Sequence, residues 1–129
     1  ISIKDYAYRM LQNALREGKA YRSARLRFLG SKERVYDLFL DSTVIGRGPI
    51  AHIHIQDKQM SDIHARIRKV DNKFIIYDML SSGGVFINGK RILRPRALFD
   101  GDSLQMGTSR FEFEGRSLSG QDYSPSPPL

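Results

Sequence analysis

Three short polar stretches carry the residue types that could do chemistry in this chain. They are Gly46-Arg47, Ser61 with His64, and Ser81-Ser82-Gly83-Gly84 followed by Asn88-Gly89. Ser61 and His64 are the types of a nucleophile and its base. The Gly-x-Ser-x-Gly elbow is absent, there is no cysteine, and no two carboxylates share an evident cleft. No catalytic residue is assigned, and the chain is not read as an enzyme. His52 and His54 stand two apart, a workable spacing for metal on one face of a strand. A third ligand is not evident, so no metal and no cofactor are expected. Ile45-Gly46-Arg47-Gly48 is too short for a Walker or dinucleotide loop.

What these stretches do suit is phosphate. A guanidinium offers a planar fork of donors, each serine hydroxyl donates one bond, and glycines let main-chain amides approach an anion closely. Phosphate or an acidic motif is therefore the ligand chemistry to expect, provided the three loops meet in space.

The elements that must bring them together are short strands. From residue 23 apolar residues alternate: Ala24, Leu26 and Phe28; Tyr36, Leu38 and Leu40; Ile53 and Ile55; Ile63, Ala65 and Ile67; Phe74 and Ile76. Val85 and Ile87, Leu104 and Met106, and Phe111 and Phe113 continue the pattern. Turn signals separate the runs at Gly46, Gly48, Asp71-Asn72, Ser81 to Gly84, Asn88-Gly89 and Asp100-Gly101-Asp102. Short alternating runs between such turns predict an all-β sandwich or barrel, whose loops at one end carry function. Ahead of them, Ile3, Ala7, Met10, Leu11, Ala14 and Leu15 recur at helical steps, predicting an amphipathic helix over 3–17. Ser2 is placed to cap it and Gly18 to end it. The helix either packs on the domain or belongs to an upstream region. The organisation expected is residues 1–22 as helix and linker, 23–115 as the sandwich, and 116–129 as a disordered Ser/Pro tail.

Composition limits the partners. The net charge of +7 resides mostly in residues 1–35, where nine Lys/Arg meet three Asp/Glu. The remainder holds twelve against eleven and is close to neutral. A basic first third on a neutral body argues against nucleic acid as the main partner. No apolar run approaches the roughly 20 residues of a membrane span. Zero cysteines remove disulfides and thiolate zinc from this piece without assigning a compartment; a cytoplasmic or nuclear address is the expectation. The first residue is Ile rather than Met, which points to a fragment of something longer.

Order and spacing add a resemblance. "VIGRG", "DKQMSDIHARI", "FIIYDMLSSGGVFINGKRI" and "LFDGDSLQMGTSRFEF" resemble, in sequence, four blocks of the forkhead-associated (FHA) domain family. The resemblance spans Val44 to Phe113 and, with Arg25 to Leu40 as the first two strands, roughly 23–114. It implies an FHA-type sandwich of two sheets and about eleven strands that holds a phosphothreonine peptide at one end. Carried over by position, Arg47 is the main phosphate ligand, and Ser61 and Ser82 donate hydroxyls to the phosphate. Gly46, His64, Gly84, Asn88 and Gly89 support the binding loops. The partner implied is a phosphothreonine-containing protein or peptide. Two positions depart from the pattern. Gly83 stands where the family has an Asn that holds the peptide main chain, and Asp62 puts a carboxylate beside Ser61. Both leave open an alternative, a phosphate-independent assembly domain of the same fold.

Overall fold

A computed structural model of the chain describes residues 2–118. The helix forms where its period places it, as α1 (Ile3–Glu17). The Ser2 hydroxyl accepts from the Asp5 amide at 3.1 Å, satisfying one of the donors that every helix N-terminus leaves unpaired. Gly18 ends the helix in extended backbone, with φ −74°, rather than in the left-handed form. Space there is tight: a Cβ would lie 3.2 to 3.3 Å from Ala14 O and the side chains of Ala97 and Lys73, closer than ordinary contact.

Eleven strands follow among the described residues: β1 (Tyr21–Phe28), β2 (Arg34–Asp37), β3 (Ser42–Gly46), β4 (Ile53–His54), β5 (Ala65–Val70), β6 (Lys73–Asp78), β7 (Val85–Ile87), β8 (Lys90–Arg91), β9 (Arg96–Ala97), β10 (Ser103–Met106) and β11 (Ser109–Ser117). They make two sheets, ordered β2-β1-β11-β10-β7-β8 and β4-β3-β5-β6-β9. All pairs are antiparallel except β3 with β4, which run parallel. The core lies between the sheets. Leu26, Ile45, Ile67, Phe74, Ile76, Val85, Leu104, Met106, Phe111 and Phe113 point into it, the inward half of each alternation. This is the all-β sandwich expected, with the amphipathic helix ahead of it.

α1 packs on the domain. Ala14, with Leu11 and Leu15 beside it, covers Ile75 and Ala97 on the outer face of the five-stranded sheet. Ile75 is therefore as buried as its neighbours Phe74 and Ile76, and β6 is apolar on both faces. The Lys73 ammonium donates to the Leu15 carbonyl at 2.7 Å and closes the helix C-terminus.

Two expectations need correction. The strand around Tyr36 ends at Asp37, leaving Phe39 76% exposed and Leu40 at the surface. Ile63 is also exposed, because Ser61–Ile63 belongs to a loop and β5 starts only at Ala65. Tyr21 opens β1, pairs with Ser117 of β11, and its hydroxyl accepts from the Asp100 amide at 2.8 Å. Of the expected tail, residues 119–129 lie outside the described residues. No helix among those described is long and apolar enough to cross a membrane.

Candidate functional site

Arg47 follows the last residue of β3, and its loop is held by the loop between β4 and β5. The Arg47 amide donates to Ser61 O at 3.0 Å and the Gly48 amide to Asp62 O at 3.1 Å. Gly46 makes that approach possible: a Cβ there would sit 2.0 Å from the Asp62 carbonyl oxygen. The Arg47 carbonyl accepts from His54 Nε2 at 2.8 Å, while His52 Nδ1 accepts from the Val44 amide at 2.9 Å. His52, just before β4, and His54 within it thus both hold backbone, and neither meets a cluster of three or more candidate metal ligands among the described residues.

His64 ties the second loop to the third. The ring is fully buried, Nδ1 accepts from the Ser61 amide at 3.0 Å, and Nε2 faces the Gly84 carbonyl at 2.8 Å. An N–H on one side and a C=O on the other assign the tautomer, with the proton on Nε2. Within the third loop the Asp78 carboxylate accepts from the Ser81 amide at 3.0 Å, and the Ser81 hydroxyl from the Gly84 amide at 2.9 Å. Gly84 has φ +86°, and a Cβ would come within 2.5 Å of Arg91 Nε. The left-handed backbone calls for glycine here, and a larger residue would also have to displace the Arg91 side chain.

These bonds bring the named side chains to one surface. Ser61 Oγ accepts from the Ser82 amide at 3.2 Å and lies 3.4 Å from Ser82 Oγ. Arg47 is exposed, with Nη1 3.5 Å from the Lys58 carbonyl and Nε 3.7 Å from Asp62 Oδ1. Arg47, Ser61, Asp62 and Ser82 are therefore contributed by three loops that touch, as the phosphate chemistry requires. Gly83 is exposed and lacks a left-handed φ; a Cβ there would meet nothing nearer than Gln59 O, at 3.9 Å.

Asn88 and Gly89 do not join the group. They form the two-residue turn between β7 and β8, with φ +52° and +83°, at the opposite end of β7 from Gly84. The Asn88 side chain donates to Asp102 at 2.9 Å and accepts from the Ser103 amide at 2.9 Å. It braces the far turn. The reason is elementary: three residues of strand separate it from the loops, a span of about 10 Å.

Two residues beside the site carry no signal in the sequence. Arg91 lies against Gly84, and Leu80 holds φ +56° while 98% exposed. Leu80 follows Asp78-Met79 in the loop that carries Ser82. Only the backbone angle sets it apart, since an exposed leucine in a loop is otherwise ordinary.

A buried carboxylate supports the scaffold next to these loops. Asp57, between β4 and β5, accepts from the Gln59 amide at 2.9 Å, the Thr108 amide at 2.8 Å and hydroxyl at 2.9 Å, and the Ser109 hydroxyl at 2.8 Å. Burial pushes its pKa up, but the bonds from Ser109, Gln59 and Thr108 outweigh this and hold it below the ordinary carboxylate value.

Comparison with known proteins agrees with this architecture. The FHA domain family model matches residues 43–107, half of the chain, and the chain belongs to that family. Over 72 residues it is 32% identical to an oxoglutarate dehydrogenase inhibitor of Corynebacterium diphtheriae, covering 56% of this chain and 50% of that one. A solved structure from an analysis of phosphothreonine-dependent FHA domain interactions superposes with a TM-score of 0.71 at 28% identity, covering 74% of this chain and 99% of the other. EmbR of Mycobacterium tuberculosis, solved with a low-affinity phosphopeptide, gives 0.71 at 26% identity, covering 88% of this chain and 31% of that one. The chain spans about half the length of the curated relatives it matches.

Proposed function

We propose that this domain is a protein-interaction module that binds a phosphothreonine segment of a partner protein, with Arg47, Ser61 and Ser82 as the phosphate ligands. The observation that carries the reading is the meeting of the three loops. Ser61 and Ser82 hydroxyls lie 3.4 Å apart, and the Arg47 loop is bonded to the backbone of Ser61 and Asp62. Family membership and the phosphopeptide complex of EmbR support it. His64, Gly46 and Gly84 hold the loops in place, and no covalent step is involved.

A second reading is kept alive by one contact. Asp62 occupies the Nε side of the Arg47 guanidinium at 3.7 Å, where it competes with phosphate. On that reading the domain assembles with a partner without phosphate.

The deciding experiment is titration of phosphothreonine, phosphoserine and unmodified forms of one peptide, selected from an oriented library, against wild type and Arg47→Ala. A hydrogen bond to a charged group contributes about 1.5–3 kcal/mol, so the substitution is expected to weaken phosphothreonine binding on the order of 10- to 100-fold. The threonine methyl adds up to about 0.8 kcal/mol when buried, a several-fold preference over phosphoserine. Equal affinities for wild type and Arg47→Ala remove the assignment.

A further inference from the structure

The helix makes a second feature that the family match does not include, since α1 lies outside residues 43–107. Between the C-terminal half of α1 and the segment 87–96 is a cleft of about 740 Å³. That volume lies in the range of sites that hold ligands. Its lining is unusual for its charge. Among the described residues it takes Arg16 from the helix, Lys90 and Arg91 from β8, and Arg94 and Arg96 beyond it, against the single carboxylate of Glu17. Arg96 is neutralised by Asp102 at 2.8 Å. Among the described residues Lys90, Arg91 and Arg94 make no ion pair, although all three are exposed. Like charges crowded into a concavity repel one another and focus a positive potential there.

Position matters as much as charge. The Arg91 side chain, which lines the cleft, packs against Gly84, the residue whose carbonyl His64 holds and which ends the loop carrying Ser82. β8 is also the edge strand of its sheet, bonded only to β7 among the described residues.

We propose that this cleft is a docking site for an acidic, extended segment of the same partner whose phosphothreonine Arg47 binds, an inference that rests on the function proposed above. A polypeptide fits better than nucleic acid. Among the described residues no aromatic side chain lines the cleft to stack on bases, and Leu93, 91% exposed, offers an apolar contact among the cations. The domain then recognises two features of one chain, and joining two weak contacts through a short connection multiplies their effect.

The test uses the full 129-residue chain and four peptides: a phosphothreonine peptide, the same peptide with six glutamates added before or after it, and the glutamate-extended peptide without phosphate. Wild type is compared with Arg47→Ala and with Lys90→Glu/Arg94→Glu, two exposed positions whose replacement leaves the core intact. One of the extended phosphopeptides is expected to bind wild type at least about tenfold more tightly than the plain one at low salt, the gain fading as ionic strength rises. The cleft variant loses that gain and keeps its affinity for the plain phosphopeptide. In backbone amide spectra the unphosphorylated extended peptide shifts residues 88–96 and 13–17, in wild type and in Arg47→Ala alike. That last arm separates the two ideas, because it remains positive if phosphate recognition fails. The proposal is overturned if neither extension adds affinity, if the gain survives in the cleft variant, if the shifts fall elsewhere, or if a duplex oligonucleotide of equal charge takes the cleft more tightly.

Discussion

His64 Nε2 lies 2.8 Å from the carbonyl oxygen of Gly84, twenty residues away in sequence, and the ring between them is sealed from solvent. One imidazole therefore spans two loops, because its other nitrogen accepts from the Ser61 amide. Replacing it with alanine leaves a buried C=O at Gly84 and a part-buried N–H at Ser61 without this partner, the buried group costing about 1–3 kcal/mol and the part-buried one less. Urea denaturation of His64→Ala is expected to show a loss of about 2–4 kcal/mol, and peptide affinity is expected to fall with it. Unchanged stability would mean that the loops are held by something else.

Asp57 gives the fold a dependence on acid. A carboxyl whose folded pKa lies below its unfolded value stabilises the folded state fully above the unfolded value, near 3.8. That contribution is lost as the pH falls through the lower, folded value. Asp57→Asn keeps the volume but turns an amide N–H toward donors, at a cost of about 1–3 kcal/mol at neutral pH. Stability measured from pH 7 to pH 2 is expected to fall less steeply below pH 4 in the variant than in wild type. Parallel curves would remove Asp57 from the account.

Much of this was legible in the residues themselves. The alternations at Leu26, Ile67, Phe74 and Phe113 mark inward positions because a strand turns successive side chains to opposite faces. The motif spacing placed Arg47, Ser61 and Ser82 on loops that prove to touch. The burial of Ile75 was not legible, since it depends on where a helix sixty residues earlier comes to rest. Nor was the contact of Arg91 with Gly84 or of Asp62 with Arg47, because each depends on how two loops cross. The place of Asn88-Gly89 was hidden for a related reason: proximity in sequence to Gly84 does not survive the length of β7.

Leu80 tests whether a strained backbone is being tolerated. A non-glycine residue in the left-handed region costs about 1–2 kcal/mol through its Cβ, and an exposed side chain recovers none of it by packing. Leu80→Gly removes that strain while loosening the unfolded chain by about 0.4–1 kcal/mol, so stability is expected to stay level or rise slightly. Leu80→Val, branched at Cβ, is expected to lower it. The result required is a denaturant midpoint for Leu80→Val below that of wild type, with Leu80→Gly at or above it; a Leu80→Val as stable as wild type contradicts the backbone argument.

Asp62 and Gly83 separate the phosphate reading from the assembly reading. The Arg47–Asp62 pair is exposed and 3.7 Å long, and such pairs contribute about 0.2–1 kcal/mol, so losing any ordering of Arg47 by Asp62 costs little. A bound phosphate about 6 Å from the carboxylate would be opposed by roughly 0.7–3 kcal/mol per unit charge, depending on the local dielectric. The repulsion outweighs the ordering, and Asp62→Asn is expected to tighten phosphopeptide binding, most strongly at low salt. Gly83→Asn meets no obstacle, since the space beyond Cα is open and the backbone angle is one that any residue accepts. The added amide can bond a peptide main chain for about 0.5–1.5 kcal/mol, roughly a two- to tenfold gain. Wild type, both single variants and the double are to be titrated with phosphorylated and plain peptides. Tighter binding confined to phosphopeptides supports phosphate recognition. If no folded member of the four distinguishes phosphorylated from plain peptide, while a native partner binds without phosphate, the domain is an assembly module and Arg47 belongs to its surface.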